Sequence, residues 1–223
     1  MRTTRISTII KISVALSAVA LLFTSGALAA TEKVLHTFNS TDGGQTIARL
    51  VFDSAGNLYG TTPVGGKGFG VVYELSPNST GGFTRKIIHN FTGGRDGANP
   101  QAGLIFDAAG NLYGTAAAGG LHGDGVVFEL KPNGIGGWAE TVLWAFTGGV
   151  DQGSPNNALV LDRVTGSLYG TTDGIDNTQF GTLFRLSPKL TGGFAMRVLH
   201  TFTNATDGAS PTAIVPRHNS VRL

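Results

Sequence analysis

The sequence predicts an all-β, β-propeller-like fold with about three complete four-stranded blades and a partial fourth. Three observations carry this expectation. The stretch Phe52-Asp53-Ser54-Ala55-Gly56-Asn57-Leu58-Tyr59-Gly60-Thr61-Thr62 returns as Phe106 to Thr115 and, more loosely, as Leu161 to Thr172. Its tyrosines, Tyr59, Tyr113 and Tyr169, stand 54 and 56 residues apart, and a fixed period of that size marks a repeat architecture. Each period holds four short apolar segments separated by turn residues, with no helical spacing between them, which is the pattern of a propeller blade.

The first 29 residues stand apart from the repeats. Arg2, Arg5 and Lys11 precede an apolar run from Ile12 to Phe23, and Ala27-Leu28-Ala29 follows as a small-x-small cleavage site. That order predicts a secretory signal peptide cut after Ala29. The apolar run is shorter than the roughly 20 residues that a membrane-spanning helix needs, so no span is expected once the leader is removed. The leader takes three of the 16 basic residues and no acidic one, leaving 13 against 14 and a net charge of −1. No basic stripe suits a nucleic acid. Absence of cysteine excludes disulfides, thiolate catalysis and cysteine-based metal sites. The 34 glycines recur at turn positions, which argues for many tight turns rather than disorder.

Within the repeats, Lys33 to Phe38 reads as a short outermost strand, with counterparts at Lys86–Phe91, Thr141–Phe146 and Arg197–Phe202. A turn holding Asp42, Asp96, Asp151 or Asp207 follows each one. Eleven residues later, Asp53, Asp107 and Asp162 close an apolar segment, expected to be an innermost strand buried on both faces. Asp bonds the backbone two residues on and Gly supplies a positive φ, so Asp-x-x-Gly-Asn reads as a hairpin turn. Leu-Tyr-Gly-Thr is the second strand. A Gly-rich loop leads to the third, at Val71–Leu75, Val126–Leu130 and Thr182–Leu186. Pro77, Pro132 and Pro188 turn the chain back. Asn39, Asn78, Asn90 and Asn204 precede x-Ser/Thr and are read as turn residues rather than glycan sites.

The Leu-Tyr-Gly-Thr-Thr, Gly-Gly and Val-Phe-Glu-Leu elements resemble the GloVer-type tandem repeat of secreted or surface-anchored bacterial proteins over about residues 33–215. The resemblance implies a propeller-like fold and export, and no particular chemistry. The third repeat departs from the pattern, with no Gly-Gly in its loop and Arg185 where Glu74 and Glu129 stand in the others. A fourth copy begins at Asp207-Gly208-Ala209-Ser210-Pro211, but Pro216-Arg217-His218 replaces its apolar-Asp segment. Proline there would remove a ladder hydrogen bond. The expected organisation is a signal peptide at 1–29, a repeat domain at 30–215 and an irregular tail at 216–223. The repeats divide at about 42–95, 96–150, 151–206 and a partial 207–215. A fragment of a longer propeller is one explanation, and a short chain that self-associates through open sheet edges is the other.

Few constellations carry chemistry. His36, His89 and His200 lie on different outermost strands, with Trp144 in the equivalent place of one repeat, so they are not expected to share a metal ion. Glu74 and Glu129 match in position, but repeat-related carboxylates lack the asymmetry that acid–base catalysis needs. Gly66-Lys67-Gly68 lacks the Gly-Lys-Ser/Thr of a phosphate loop. The remaining ligand-site candidates are Asp42, Asp96, Asp151 and Asp207, expected on one face near the propeller axis. Turn chemistry is the preferred account of them, and a polar rim for a cation or ligand the sharper one. No catalytic residue, metal site or cofactor is assigned. The expected function is a secreted, periplasmic or cell-surface repeat module that binds an unknown ligand or protein or plays a structural part. A propeller-fold hydrolase or lyase and a truncated repeat protein are the alternatives.

Overall fold

The computed structural model describes residues 32–39, 41–174, 176 and 178–212. The expected signal peptide at 1–29 and tail at 216–223 lie outside them. Twelve strands are present: β1 (Val51–Phe52), β2 (Leu58–Thr62), β3 (Val71–Pro77), β4 (Phe83–Asn90), β5 (Ile105–Phe106), β6 (Leu112–Ala116), β7 (Val126–Pro132), β8 (Trp138–Ala145), β9 (Val160–Leu161), β10 (Leu168–Thr172), β11 (Thr182–Pro188) and β12 (Phe194–Thr201). They form three four-stranded antiparallel sheets in meander order, β1 to β4, β5 to β8 and β9 to β12. The fold is all-β, with three propeller-like blades that do not close into a ring among the described residues. No helix there is long and apolar enough to cross a membrane.

The recurring aspartates make the hairpins. Oδ1 of Asp53 accepts the Ala55 and Asn57 backbone N–H groups, each at 2.9 Å, and Oδ2 accepts the Tyr59 hydroxyl at 3.1 Å. Asp107 repeats this with Ala109, Asn111 and Tyr113. Asp162, in a turn one residue longer, accepts from Val164 and Thr165 instead. Local bonding of this kind accounts for Asp at these positions without catalysis.

The glycine of Leu-Tyr-Gly-Thr answers to close packing. A Cβ on Gly60 would stand 2.5 Å from the Tyr73 hydroxyl and 2.7 Å from Leu50. On Gly114 it would stand 2.6 Å from Phe128 and 2.8 Å from Leu104. The aromatic ring of the third strand and a leucine beside the first thus meet over a bare backbone, as glycine alone permits.

Blades stack face to face through large side chains. Tyr59, at 4 % exposure, packs edge-on against Phe106 and Trp138 of the next blade, with ring centroids 5.2 and 5.8 Å apart. Phe91 meets Phe128 and Phe146 meets Phe184 across successive seams, at 5.3 and 5.2 Å. Tyr113 and Tyr169 are buried as well, as the repeat position requires.

Two expectations are corrected. Residues 33–38 carry no strand, and among the described residues no strand lies beside them to supply a ladder; Leu35 and Phe38 nonetheless pack on the first blade's core. The innermost strands are not buried on both faces. β1, β5 and β9 are two residues each, and Phe52 is 67 % exposed. The doubly buried strands are β2, β6 and β10, every residue of which is buried. They have a strand on either side and a packed face above and below, whereas the innermost strands border open space.

Candidate functional site

Every turn aspartate stands beside a ring that precedes it, on β4, β8 or β12, or, for His36, in the segment ahead of the first blade. His36 Nε2 stands 3.1 Å from Asp42, Trp144 Nε1 3.0 Å from Asp151, and His200 Nε2 3.0 Å from Asp207. His89 Nε2 is farther from Asp96, at 3.6 Å. Each carboxylate also accepts a backbone N–H three or four residues back, from Asn39, Thr92, Thr147 and Thr203. Trp144 has only an N–H to offer, so the shared geometry marks the imidazoles that bond as Nε2–H donors.

A bulge aims these rings. β3 pairs β4 with a register shift between Val72 and Tyr73, leaving Ile88 extra, and His89 follows directly. The same shift precedes Trp144 in β8 and His200 in β12. One added residue turns the following side chain toward the loop.

The aspartate loop also ties blade to blade. Three residues after each Asp comes a non-glycine residue with positive φ: Gln45 at 56°, Asn99 at 60°, Ser154 at 58° and Ser210 at 48°. Such a backbone costs about 1–2 kcal/mol. Asn99 N–H donates to Phe69 of one blade's loop, and its carbonyl accepts from Ala117 of the next. Ser154 bridges Asp124 and Asp173 in the same way. Each such bond contributes about 1 kcal/mol, enough together to offset the strain.

Each of the four aspartates sits in its own turn among its own partners. Among the described residues no group of three or more His, Asp or Glu is placed to hold one metal ion. Burial pushes the Asp42 carboxyl up, but the Asn39 N–H, the His36 ring and the Arg85 guanidinium outweigh it and hold it below the usual value.

Facing Asp42, Asp96 and Asp151 across the seam is one position of the next outermost strand, the partner of a leucine in the third strand: Arg85, Glu140 and Met196. It differs in every blade. Arg85 Nε lies 3.3 Å from Asp42. Glu140 faces Asp96 in a cavity of about 410 Å³ walled by Leu121, Val142 and Ala145, with Arg95 at its edge. Burial first, and then the Asp96 charge, push the Glu140 carboxyl up to about 7. Met196 faces Asp151 in a cavity of about 450 Å³. Sequence reasoning missed these residues. Their signal is the reverse of a motif, a position that changes while its neighbours repeat.

A third cavity, about 540 Å³, opens where the innermost strands converge. Phe52, Phe106 and Leu161 line it, and Arg163 is its one charged lining residue. The sheet aromatics carry no acid–base pair there. Glu129, by contrast, is buried on β7 and accepts the Tyr113 hydroxyl at 2.8 Å, a structural bond that raises the phenol's pKa after desolvation has done so.

No curated protein matches the chain. The Gloeobacter/Verrucomicrobia repeat matches it over residues 19–221, nearly its whole length. The recurring Asp hairpins, the Leu-Tyr-Gly-Thr strands and the three identical meanders are the structural content of that match, and the chain belongs to the Gloeobacter/Verrucomicrobia repeat family.

Proposed function

We propose that this repeat protein is an exported binding module, without catalysis of its own, whose ligand site is the cavity between the innermost strands. One observation carries the reading: apolar side chains stay exposed around that cavity, Phe52 at 67 % and Leu50 at 39 %, beside a single charged residue. Apolar walls with one convergent charged group are the usual make-up of a small-molecule site. Arg163 is that group, so the ligand is an apolar body bearing a negative charge. The turn aspartates support the non-catalytic part, because Asp42, Asp151 and Asp207 each bond their own ring and all four accept a backbone N–H.

The test uses 8-anilinonaphthalene-1-sulfonate, an apolar anion of suitable kind. Its fluorescence should rise with the folded chain and fall back at least severalfold with Arg163→Glu, an exposed position whose change leaves the circular dichroism intact. Fluorescence indifferent to Arg163→Glu would sink the reading. For export, mass spectrometry of secreted material should find the N-terminus at Ala30. A retained Met1 in the membrane fraction would contradict it.

A further inference from the structure

The three described seams pose one question three times and answer it differently. A turn aspartate faces one residue of the following outermost strand. In the first seam that residue is Arg85, and its guanidinium lies against Asp42. The fold thus builds a guanidinium site at this place and fills it from its own chain. In the second seam the same position is Glu140, so the cation is missing and a second carboxylate stands in its stead.

The second seam shows the consequences in its polar atoms. Six buried side-chain nitrogen or oxygen atoms among the described residues have no hydrogen-bond partner, and two of them, His89 Nε2 and Glu140 Oε1, are here. His89 is also the ring drawn back from its aspartate, at 3.6 Å against 3.0–3.1 Å elsewhere. Burial lowers the His89 pKa, which favours the neutral ring. Two carboxylates, Asp96 and Glu140, the second with an unpartnered buried oxygen, thus border one cavity of about 410 Å³, and the His89 ring lies beside Asp96.

We propose that the seam between the first and second blades binds a guanidinium group from outside the chain, held by Asp96 and Glu140 with the His89 ring beside them. A guanidinium suits the site better than an ammonium because it presents five N–H donors in a rigid plane. Leu121, Val142 and Ala145 form the wall along which its alkyl stem lies. A bound cation also returns the Glu140 carboxyl toward the ionised state, which the empty seam resists. The site is separate from the Arg163 cavity, so it stands or falls on its own. The group is either a free small guanidinium compound or an arginine side chain of a protein.

Calorimetric titration of the purified chain tests this with agmatine, n-butylamine and the blocked peptide acetyl-Gly-Arg-Gly-amide. Agmatine should bind, n-butylamine at least about tenfold more weakly. Glu140→Gln and Asp96→Asn should each weaken agmatine about tenfold, as loss of one charge-assisted hydrogen bond does. Glu140→Arg copies the first seam, so it should abolish agmatine binding while raising the thermal midpoint. Peptide binding would assign an arginine side chain as the source, and agmatine binding alone a free compound. The proposal is overturned if agmatine fails to bind, binds the Glu140→Arg variant equally, or binds only after Arg95→Ala. The last result would mean that Arg95 already neutralises the pair.

Discussion

An aspartate that accepts from an indole and an aspartate that accepts from a guanidinium differ in what they lose on amidation. Asp151 accepts from Trp144, the Thr147 backbone and the Thr147 hydroxyl. Asn can keep all three, because the hydroxyl can accept from its amide. Asp151→Asn should therefore cost under about 1 kcal/mol, whereas Asp151→Ala leaves the indole and backbone N–H orphaned, at about 1–3 kcal/mol. Asp42→Asn should cost more than Asp151→Asn, since it strips the charge from Arg85, whose Nη1 already lacks a partner. Urea unfolding of the three variants ranks them, and an Asp42→Asn as mild as Asp151→Asn would refute the ion pair's role. Glu140 gives a pH signature. Its pKa rises from 4.5 unfolded to about 7 folded, so the folded chain holds more protons between those values. Stability present below pH 4.5 is lost as pH rises through 7. Glu140→Gln removes that loss. Its advantage over the parent should be near zero at pH 4 and on the order of 1 kcal/mol at pH 8, after allowance for solvent screening.

Strands 58–62, 112–116 and 168–172 are the structural centre of each blade. Their middle glycines lie beneath Tyr73, Phe128 and Phe184, and an added methyl would run into both the ring and the leucine of the inner segment. Gly114→Ala should destabilise by about 1–3 kcal/mol through overpacking. An unchanged midpoint in thermal unfolding would show that the ring can move aside. The outermost strands are built for a different purpose. Each is bulged once, at Ile88, Leu143 and Leu199, and the bulge delivers the next ring to the aspartate loop. One extra residue thus couples strand register to seam closure, and its recurrence in three sheets marks it as part of the repeat.

Seam burial falls along the chain. Phe91 and Phe146 are fully buried against Phe128 and Phe184, while the matching Phe202 is half-buried and His200 is exposed. Opening free energy follows buried apolar contact, so the third sheet should open first. Amide exchange by mass spectrometry should find β12 less protected than β4 and β8. Equal protection in the three would show that another surface covers the third blade.

The sequence by itself determined the repeat, the number of blades, the meander order and the hairpin role of Asp53, Asp107 and Asp162. These follow from turn chemistry and short-range alternation, which act over a few residues and recur with the period. The burial of Tyr59, Tyr113 and Tyr169 was legible for the same reason, since a bulky side chain repeated at one strand position needs the same packing each time. Only the tertiary structure decided which strand is buried on both faces. An apolar triplet reads alike whether it borders a neighbour or an open cavity, and Phe52 borders the cavity. Likewise, Asp96 with His89 and Asp207 with His200 are visible in sequence as two separate lists, and only the bulge and the loop bring their members together. The contrast of Arg85, Glu140 and Met196 gained its meaning in the same way. Those residues face a turn of the previous blade, a contact that spans some forty residues of chain and that no local pattern encodes.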